Sequence, residues 1–264
     1  MSRIDGKTVW ITGASSGIGE ELAYLLASKK CKLILSARRK NVLEQVKNNC
    51  ANKENIAILP LDITEFDAME AHVKKAISLV GKIDILINNA GISQRSLIAK
   101  TDFSVYQKMI DVDYLGTVAL TKALLPHFIA CKSGHFATVS SLMGKFSSPY
   151  RSGYCGAKHA LHGFFDALRM EHDKDNINVT MVCPGFVSSN IAKSALTGDG
   201  SEQGTNDNAT ENGISTTMLC TKMVKAIEKK KFEVYIGGKE TIGVFVKRFF
   251  PKLLHRLVLK SNVK

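Results

Sequence analysis

The sequence predicts an α/β fold: one doubly wound parallel sheet of about seven strands with helices on both faces. Three observations predict it. Short, apolar, β-branched segments alternate with helical patterns from residue 8 onward. Several of those segments are apolar at every position, as strands buried on both faces are. A glycine-rich turn joins the first strand to the first helix. Such alternation implies right-handed crossovers and a parallel order. No internal repeat or linker divides the chain, so one domain is expected over residues 1–240, with 241–264 as a C-terminal extension.

The elements follow in order. Thr8–Thr12 (TVWIT) reads as the first strand and Gly17–Lys29 as the first helix. Lys32–Ala37 is the second strand, followed by a polar-faced helix at about 40–51. Asn55–Leu59 is the third strand; Met69, Val73, Ile77 and Val80 set a helical spacing across Phe66–Val80. Ile83–Ile87 is a continuous apolar run, and one long helix is expected over 102–129. His135–Val139, a helix near 152–173, Val179–Cys183, a helix near 215–230 and Glu233–Ile236 complete the series. Ser194–Thr217 interrupts the rhythm with four glycines among polar residues. It reads either as a mobile surface insertion or as a lid over substrate, since ligands bind at the carboxyl ends of parallel strands.

Across 264 residues there are 36 Lys and Arg against 24 Asp and Glu, a net charge of +12. With 45% hydrophobic and 23% charged residues, the composition is that of a globular protein, which excludes disorder and disulfide-dense scaffolds. The charge is unevenly placed. Lys222–Lys264 holds 12 Lys and Arg but only Glu228, Glu233 and Glu240. A nucleic-acid binder would spread its basic residues along the fold, so no nucleic-acid partner is expected. The six cysteines lack metal-ligand spacing and the seven histidines form no H-E-x-x-H, so no metal is expected. Without a signal-like leader or an 18-residue apolar run, the chain reads as soluble and cytoplasmic.

Thr12-Gly13-Ala14-Ser15-Ser16-Gly17-Ile18-Gly19 carries the first chemistry. Gly13 permits the tight turn, Gly17 a close backbone approach to a pyrophosphate, and Gly19 close helix–strand packing. The free N–H groups at the helix start meet the negative charge. This is the signature of a Rossmann-type dinucleotide fold. In its G-x-x-x-G-x-G form it resembles the short-chain dehydrogenases/reductases, and further matches extend the resemblance over roughly residues 4–240. Asp62-Ile63 follows the third strand, Asn88-Asn89-Ala90-Gly91 the fourth, Tyr154-x-x-x-Lys158 lies on a helix, and Pro184-Gly185 ends the sixth strand. Within that family the chain looks most like the dehydrogenase/reductase member 7 group, through GEELAYLLA, LILSARR, NNAGISQRSL, GTVALTKALLP and GAKHALHGFF. The resemblance implies a cofactor held by Gly13, Ser15, Ser16, Gly17, Ile18 and Gly19. It implies further contacts from Asp62 and Ile63 near the adenine, from Asn89, Ala90 and Gly91 along the adenosine ribose, and from Pro184, Gly185, Val187 and Ser189. It also implies a homo-oligomer, dimer or tetramer.

The second strand ends in Ser36-Ala37-Arg38-Arg39, with no carboxylate to bind two ribose hydroxyls. Two guanidinium groups suit a 2′-phosphate, so NADP(H) is the expected cofactor, with Arg38 and Arg39 on the phosphate. Tyr154 and Lys158 share a helix face. A phenol of pKa ~10 is a poor base, and a nearby ammonium, joined by the positive nicotinamide of NADP⁺, is expected to stabilise the phenolate and bring it into range. The resemblance also gives Lys158 the nicotinamide ribose. It selects Ser141, thirteen residues before the tyrosine, to bind the substrate oxygen. Ser141 has a second reading as a strand-end serine satisfying a turn. Relatives often carry an Asn where this chain has Asp113, 28 residues before the serine. A working relay with altered pH dependence, a crippled enzyme and a helix distortion that moves Asp113 elsewhere all stay open. A Cys155–His159 nucleophile is a further alternative.

Thr241–Lys260 places Ile242, Phe245, Val246, Phe249, Leu253 and Leu257 at helical spacing, with Lys247, Arg248, Lys252 and Arg256 on another side. Pro251 divides it into two short helices. The segment reads as a wall of the cleft or subunit interface, as a surface for anionic membrane, or as a nucleic-acid contact. The leading function is an NADP(H)-dependent oxidoreductase acting on a small lipophilic carbonyl or secondary alcohol. The alternative is an NADPH-binding regulatory protein whose turnover Asp113 has impaired.

Overall fold

The computed structural model describes residues 4–261. The first three residues and the last three of the basic 241–264 segment lie outside them. Seven strands form one parallel sheet in the order β3-β2-β1-β4-β5-β6-β9. These are β1 (Thr8–Thr12), β2 (Lys32–Ser36), β3 (Ile56–Ile58), β4 (Ile85–Asn88), β5 (Gly134–Val139), β6 (Ile177–Pro184) and β9 (Glu233–Ile236). A separate parallel pair, β7 (Val187–Ser188) and β8 (Ile214–Ser215), lies beyond the end of β6.

Alternation along each strand assigns its side chains to two cores. Val9 and Ile11 of β1 face one way, with Leu33, Leu35, Ile85 and Ile87. On them pack Leu22 and Leu26 of α1 (Gly17–Ser28), Leu43 and Val46 of α2 (Lys40–Asn49), and Leu219 and Met223 of α8 (Thr216–Glu228). Trp10, Ile34, Leu86 and Phe136 face the other way. They meet Val73 of α3 (Met69–Val80), Leu120 and Phe128 of α5 (Gly116–Ala130), and Leu161 and Phe165 of α6 (Ser152–Glu171). Burying each such side chain stabilises the fold by about 1.5–3 kcal/mol, and both faces of the sheet supply many. The one polar atom of Trp10 is satisfied: its indole N–H donates to Ser36 Oγ at 2.9 Å.

The helix expected over 102–129 is broken in the middle. α4 (Phe103–Ile110) passes into a π-helical turn at Asp111–Leu115 before α5 continues. Periodicity cannot reveal this, because one wide turn shifts the register without changing the residue types. The segment 194–217 is also more than a loop. It carries α7 (Asn208–Glu211) and β8, and buries Ala195, Leu196, Asp207 and Thr210. After β9, α9 (Ile242–Phe249) and α10 (Pro251–Lys260) complete the described fold. Pro251 opens α10 from its first turn, where the missing N–H costs nothing. No described helix is long and apolar enough to cross a membrane.

Candidate active site

Strand order reverses between β1 and β4, and the crevice outside the carboxyl ends of the strands at that switch point is where such sheets bind ligands. A cleft of about 1500 Å³ occupies it. Its floor at the β1 end is the glycine turn. Gly13 sits at φ +64°, and a Cβ there would lie 2.9 Å from Ala90 Cα. Gly19 does not reach the cleft. It is buried beneath the turn, where a Cβ would run into the Gly13 carbonyl oxygen, so its part is packing rather than contact. Ser15, Ser16, Gly17 and Ile18 line the opening. The Ser16 side chain leaves the first N–H groups of α1 uncapped, open to an anion.

Asn89 braces this turn instead of pointing only outward. Its Nδ2 donates to Thr12 O at 3.0 Å and Gly13 O at 3.3 Å, while Thr12 Oγ1 accepts from the N–H groups of Asn89 and Ala90. Ala90 and Gly91 line the wall beyond it. Past β2, Arg38 and Arg39 are exposed at the rim, with no carboxylate beside the Ser36 hydroxyl that Trp10 engages. Asp62 and Ile63 close that end. Burial opposes the Asp62 charge, but two hydrogen bonds from Thr64 and the nearby Arg38 outweigh it and hold the carboxyl below its usual range. A cradle without room for side chains, an uncapped helix start and two guanidiniums at the rim make a donor set that fits a dinucleotide.

Ser141, Tyr154 and Lys158 meet at the other end of the cleft. Ser141 leaves β5 in extended backbone, and its Oγ accepts from Met143 N at 3.1 Å. The turn-satisfying role and a position in the cleft are thus held by one hydroxyl. Lys158 is buried, donates to Val139 O at 3.3 Å, and its Nζ lies 5.6 Å from the Tyr154 ring centre. Burial makes the net shift of the Tyr154 pKa in the protein alone upward, although Lys158 does pull it down, as expected of a nearby ammonium. Asp113 adds to the rise, and the Ser141 hydrogen bond opposes it with Lys158.

The π turn brings Asp113 into this cluster, not away from it. The carboxyl is 0% exposed, accepts from Ile92 N at 2.7 Å, and places Oδ2 3.5 Å from Lys158 Nζ. That Oδ2 makes no hydrogen bond. Burial pushes the carboxyl above its usual range despite Lys158 and the Ile92 N–H. Burial also works against the Lys158 charge, but Asp113 and Tyr154 reverse that and hold the ammonium above its ordinary value. Cys155 and His159 do not pair through their side chains. His159 Nδ1 donates to the Cys155 carbonyl at 2.8 Å, and burial pushes the thiol up.

Several cleft residues carry no motif in the sequence. Arg95 and Arg151 line the cleft and converge on Asp207, which accepts from Arg95 at 2.8 Å and lies 3.3 Å from the Arg151 guanidinium, clasping the 194–217 segment to the residue just before α6. Only the NNAGISQRSL stretch marked Arg95 in advance. Met143, Phe146, Val246, Leu254 and Val258 give the far wall an apolar lining. Pro184, Gly185, Val187 and Ser189 form the rim after β6. There the Glu240 carboxylate accepts from Phe186 N at 3.1 Å and fills the space a Gly185 Cβ would need.

Comparison with known proteins agrees with this geometry. The profile of the short chain dehydrogenase family matches residues 7–200. The human "Dehydrogenase/reductase SDR family member 7" is 45% identical over 235 residues, covering 87% of this chain and 69% of that protein. A Drosophila melanogaster "Dehydrogenase/reductase SDR family protein 7-like" is 38% identical, covering 100% and 82%. A short-chain dehydrogenase from Streptomyces avermitilis shares the fold at TM-score 0.81 and 22% identity, over 96% of both chains. A short chain dehydrogenase/reductase from Burkholderia phymatum, solved in complex with NAD, does so at TM-score 0.83 and 20% identity, again over 96% of each. Sequence and fold agree: the chain belongs to the short-chain dehydrogenase/reductase family of oxidoreductases.

Proposed function

We propose that the protein is an NADP(H)-dependent oxidoreductase that interconverts a carbonyl and a secondary alcohol on a lipophilic substrate. One observation carries the reading: a single cleft has Arg38 and Arg39 at one end and Ser141, Tyr154 and Lys158 at the other. The glycine turn and the start of α1 would hold the pyrophosphate, the two arginines the 2′-phosphate, and Lys158 the nicotinamide ribose. When bound, the nicotinamide supplies or accepts the hydride.

The chain's own residues handle the oxygen and its proton. Tyr154 Oη holds the proton that passes to the carbonyl oxygen on reduction and takes it back on oxidation. Ser141 Oγ donates a hydrogen bond to the same oxygen and stabilises its developing negative charge. The Lys158 ammonium favours the phenolate once the proton has left. Met143, Phe146 and the cleft-facing residues of α9 and α10 exclude water and favour an apolar substrate. Homo-oligomer formation belongs to the same reading.

The second reading, a protein that binds NADPH without turnover, is favoured by one observation. Asp113 sits directly against Lys158 and opposes the ammonium's effect on Tyr154. NADPH oxidation across a panel of ketones and aldehydes separates the two, with Tyr154→Phe as control. The enzyme reading expects at least one substrate to be turned over about 10²–10⁴-fold faster than by the control. Tight NADPH binding with no rate above the control on any carbonyl would establish the second reading instead.

A further inference from the structure

We propose that α9 and α10 form a portal facing a membrane: their outer surface seats on an anionic bilayer, and the cleft takes its substrate directly from the lipid. Docking stands on the surface alone; the route for substrate rests on the lipophilic-substrate reading above.

The outer surface is apolar by arrangement. Ile242, Phe245 and Phe249 follow at i, i+3 and i+7 on α9, and they are 60%, 62% and 68% exposed. Phe250 continues the stripe, and Leu253 and Leu257 carry it along one side of α10. The inner sides of the same helices are already used, Leu254 being buried with Leu142, Phe146 and Cys183, and Val246 and Val258 packing on that cluster. Each short helix is therefore apolar on two sides, and only one side has a partner among the described residues. An apolar stripe of this size in water marks an interaction surface.

Charge selects the partner. Residues 241–261 contain Lys247, Arg248, Lys252, Arg256 and Lys260 and no Asp or Glu. A second copy meeting the same face across a two-fold axis would bring cations against cations. A nucleic acid would engage the cations and leave the phenylalanines wet. A bilayer with anionic headgroups takes both, with aromatic and aliphatic side chains in the acyl boundary and lysine and arginine at the phosphates.

The cleft opens at this surface. Ile242 and Leu257 are largely exposed and also line the cleft, so their side chains belong to both. On that side an apolar molecule passes from the stripe into the cleft over apolar side chains. The route leads past Phe146 and Met143 toward Ser141 and Tyr154.

The test uses the full chain, sedimented with vesicles of phosphatidylcholine alone or with about one third phosphatidylserine. Binding to the anionic vesicles is expected to be about tenfold tighter or more, and to weaken as salt is raised to about 0.5 M. Phe245→Ser with Phe249→Ser should abolish it. Lys247→Gln with Arg248→Gln and Lys252→Gln should remove the preference for phosphatidylserine. NADPH fluorescence titration checks that each variant keeps its fold. For the portal, reduction of a long-chain ketone carried in the vesicles is compared with that of a short, water-soluble ketone. The phenylalanine variant should lose several-fold on the first alone. Absence of sedimentation at low salt, or full binding by the phenylalanine variant, overturns docking. So does a concentration-dependent dimer in sedimentation velocity that these serines abolish, with no vesicle binding. Docking with an unchanged rate ratio overturns the portal. An enzyme inactive on every carbonyl would sink the functional reading while leaving the vesicle result standing.

Discussion

Asp113 is the residue on which the chemistry of the site turns. A carboxyl removed from water resists ionisation, yet it accepts from Ile92 N and faces the Lys158 ammonium. Tyr154 on α6 feels the same carboxylate, and the Ile92 backbone N–H approaches it from the segment after β4. The negative charge of Asp113 raises the Tyr154 pKa, while Lys158 and the Ser141 hydrogen bond lower it. The sign for Asp113→Asn follows. Removing that charge lets the phenol ionise more readily, so the alkaline rise in alcohol oxidation, which needs the phenolate, should move to lower pH. Rate against pH in the oxidative direction measures it; an unmoved limb would mean that Asp113 does not act on Tyr154. The same group bears on stability. A carboxyl whose folded pKa is raised contributes stability below its unfolded pKa and loses it as pH climbs through the folded value. Lys158, also raised, contributes stability below the unfolded lysine pKa and loses it as pH climbs from there through the folded value.

Elements were legible where their signal was local. The strands could be read from apolar runs because each is buried on both faces, and α1 from glycines that the turn requires. The family resemblance marked Ser141, the helix repeat put Tyr154 and Lys158 on one face, and the structure gathers all three along one cleft. What could not be read depends on distant partners. The π turn moves Asp113 against Lys158 without a compositional mark, and the Tyr154 pKa depends on how deeply the fold buries it. The segment 194–217 looked unanchored because its anchor is one carboxylate among many. Asp207 is buried, caps α7 through Thr210 N at 2.8 Å, and holds Arg95 and Arg151. Two guanidiniums share that carboxylate, and burial with the neighbouring Arg95 brings Arg151 down to about 10. Breaking a buried pair by removing one partner costs about 3–5 kcal/mol. Asp207→Ala should therefore release the segment: amide hydrogen exchange across 194–217 should rise sharply while the sheet strands stay protected. Protection unchanged in that segment would show that Leu196 and Ala195 alone suffice to hold it.

The whole molecule's basic residues include a pair in the cleft after β2 and a group on the two C-terminal helices that line the same cleft. Arg38 and Arg39 line the cleft with the glycine turn, whereas the basic helices α9 and α10 line it through the apolar side chains Ile242, Val246, Leu254, Leu257 and Val258. Among the described residues, α1 and α2 pack in one cluster on one face of the sheet, and α10 is anchored in another, through Leu254 to Leu142, Phe146 and Cys183. Substitutions far apart with no shared partner add, so the two ends should be separable in kinetics. On the NADP(H) reading proposed above, Arg38→Ala with Arg39→Ala would remove charge-assisted hydrogen bonds to the 2′-phosphate worth about 1.5–3 kcal/mol each. It should raise KM for NADPH about tenfold or more and leave that for NADH nearly unchanged. Leu254→Ala deletes the buried anchor of α10, a change costing about 2–5 kcal/mol where the site does not collapse. It should raise KM for a lipophilic ketone and leave NADPH binding alone. The triple variant should then show the product of the two effects, within the roughly 0.5 kcal/mol that independent sites allow. Strong non-additivity would mean that cofactor and substrate ends are coupled through the cleft, with the 194–217 segment, clasped between Arg95 and Arg151, as the element able to link them.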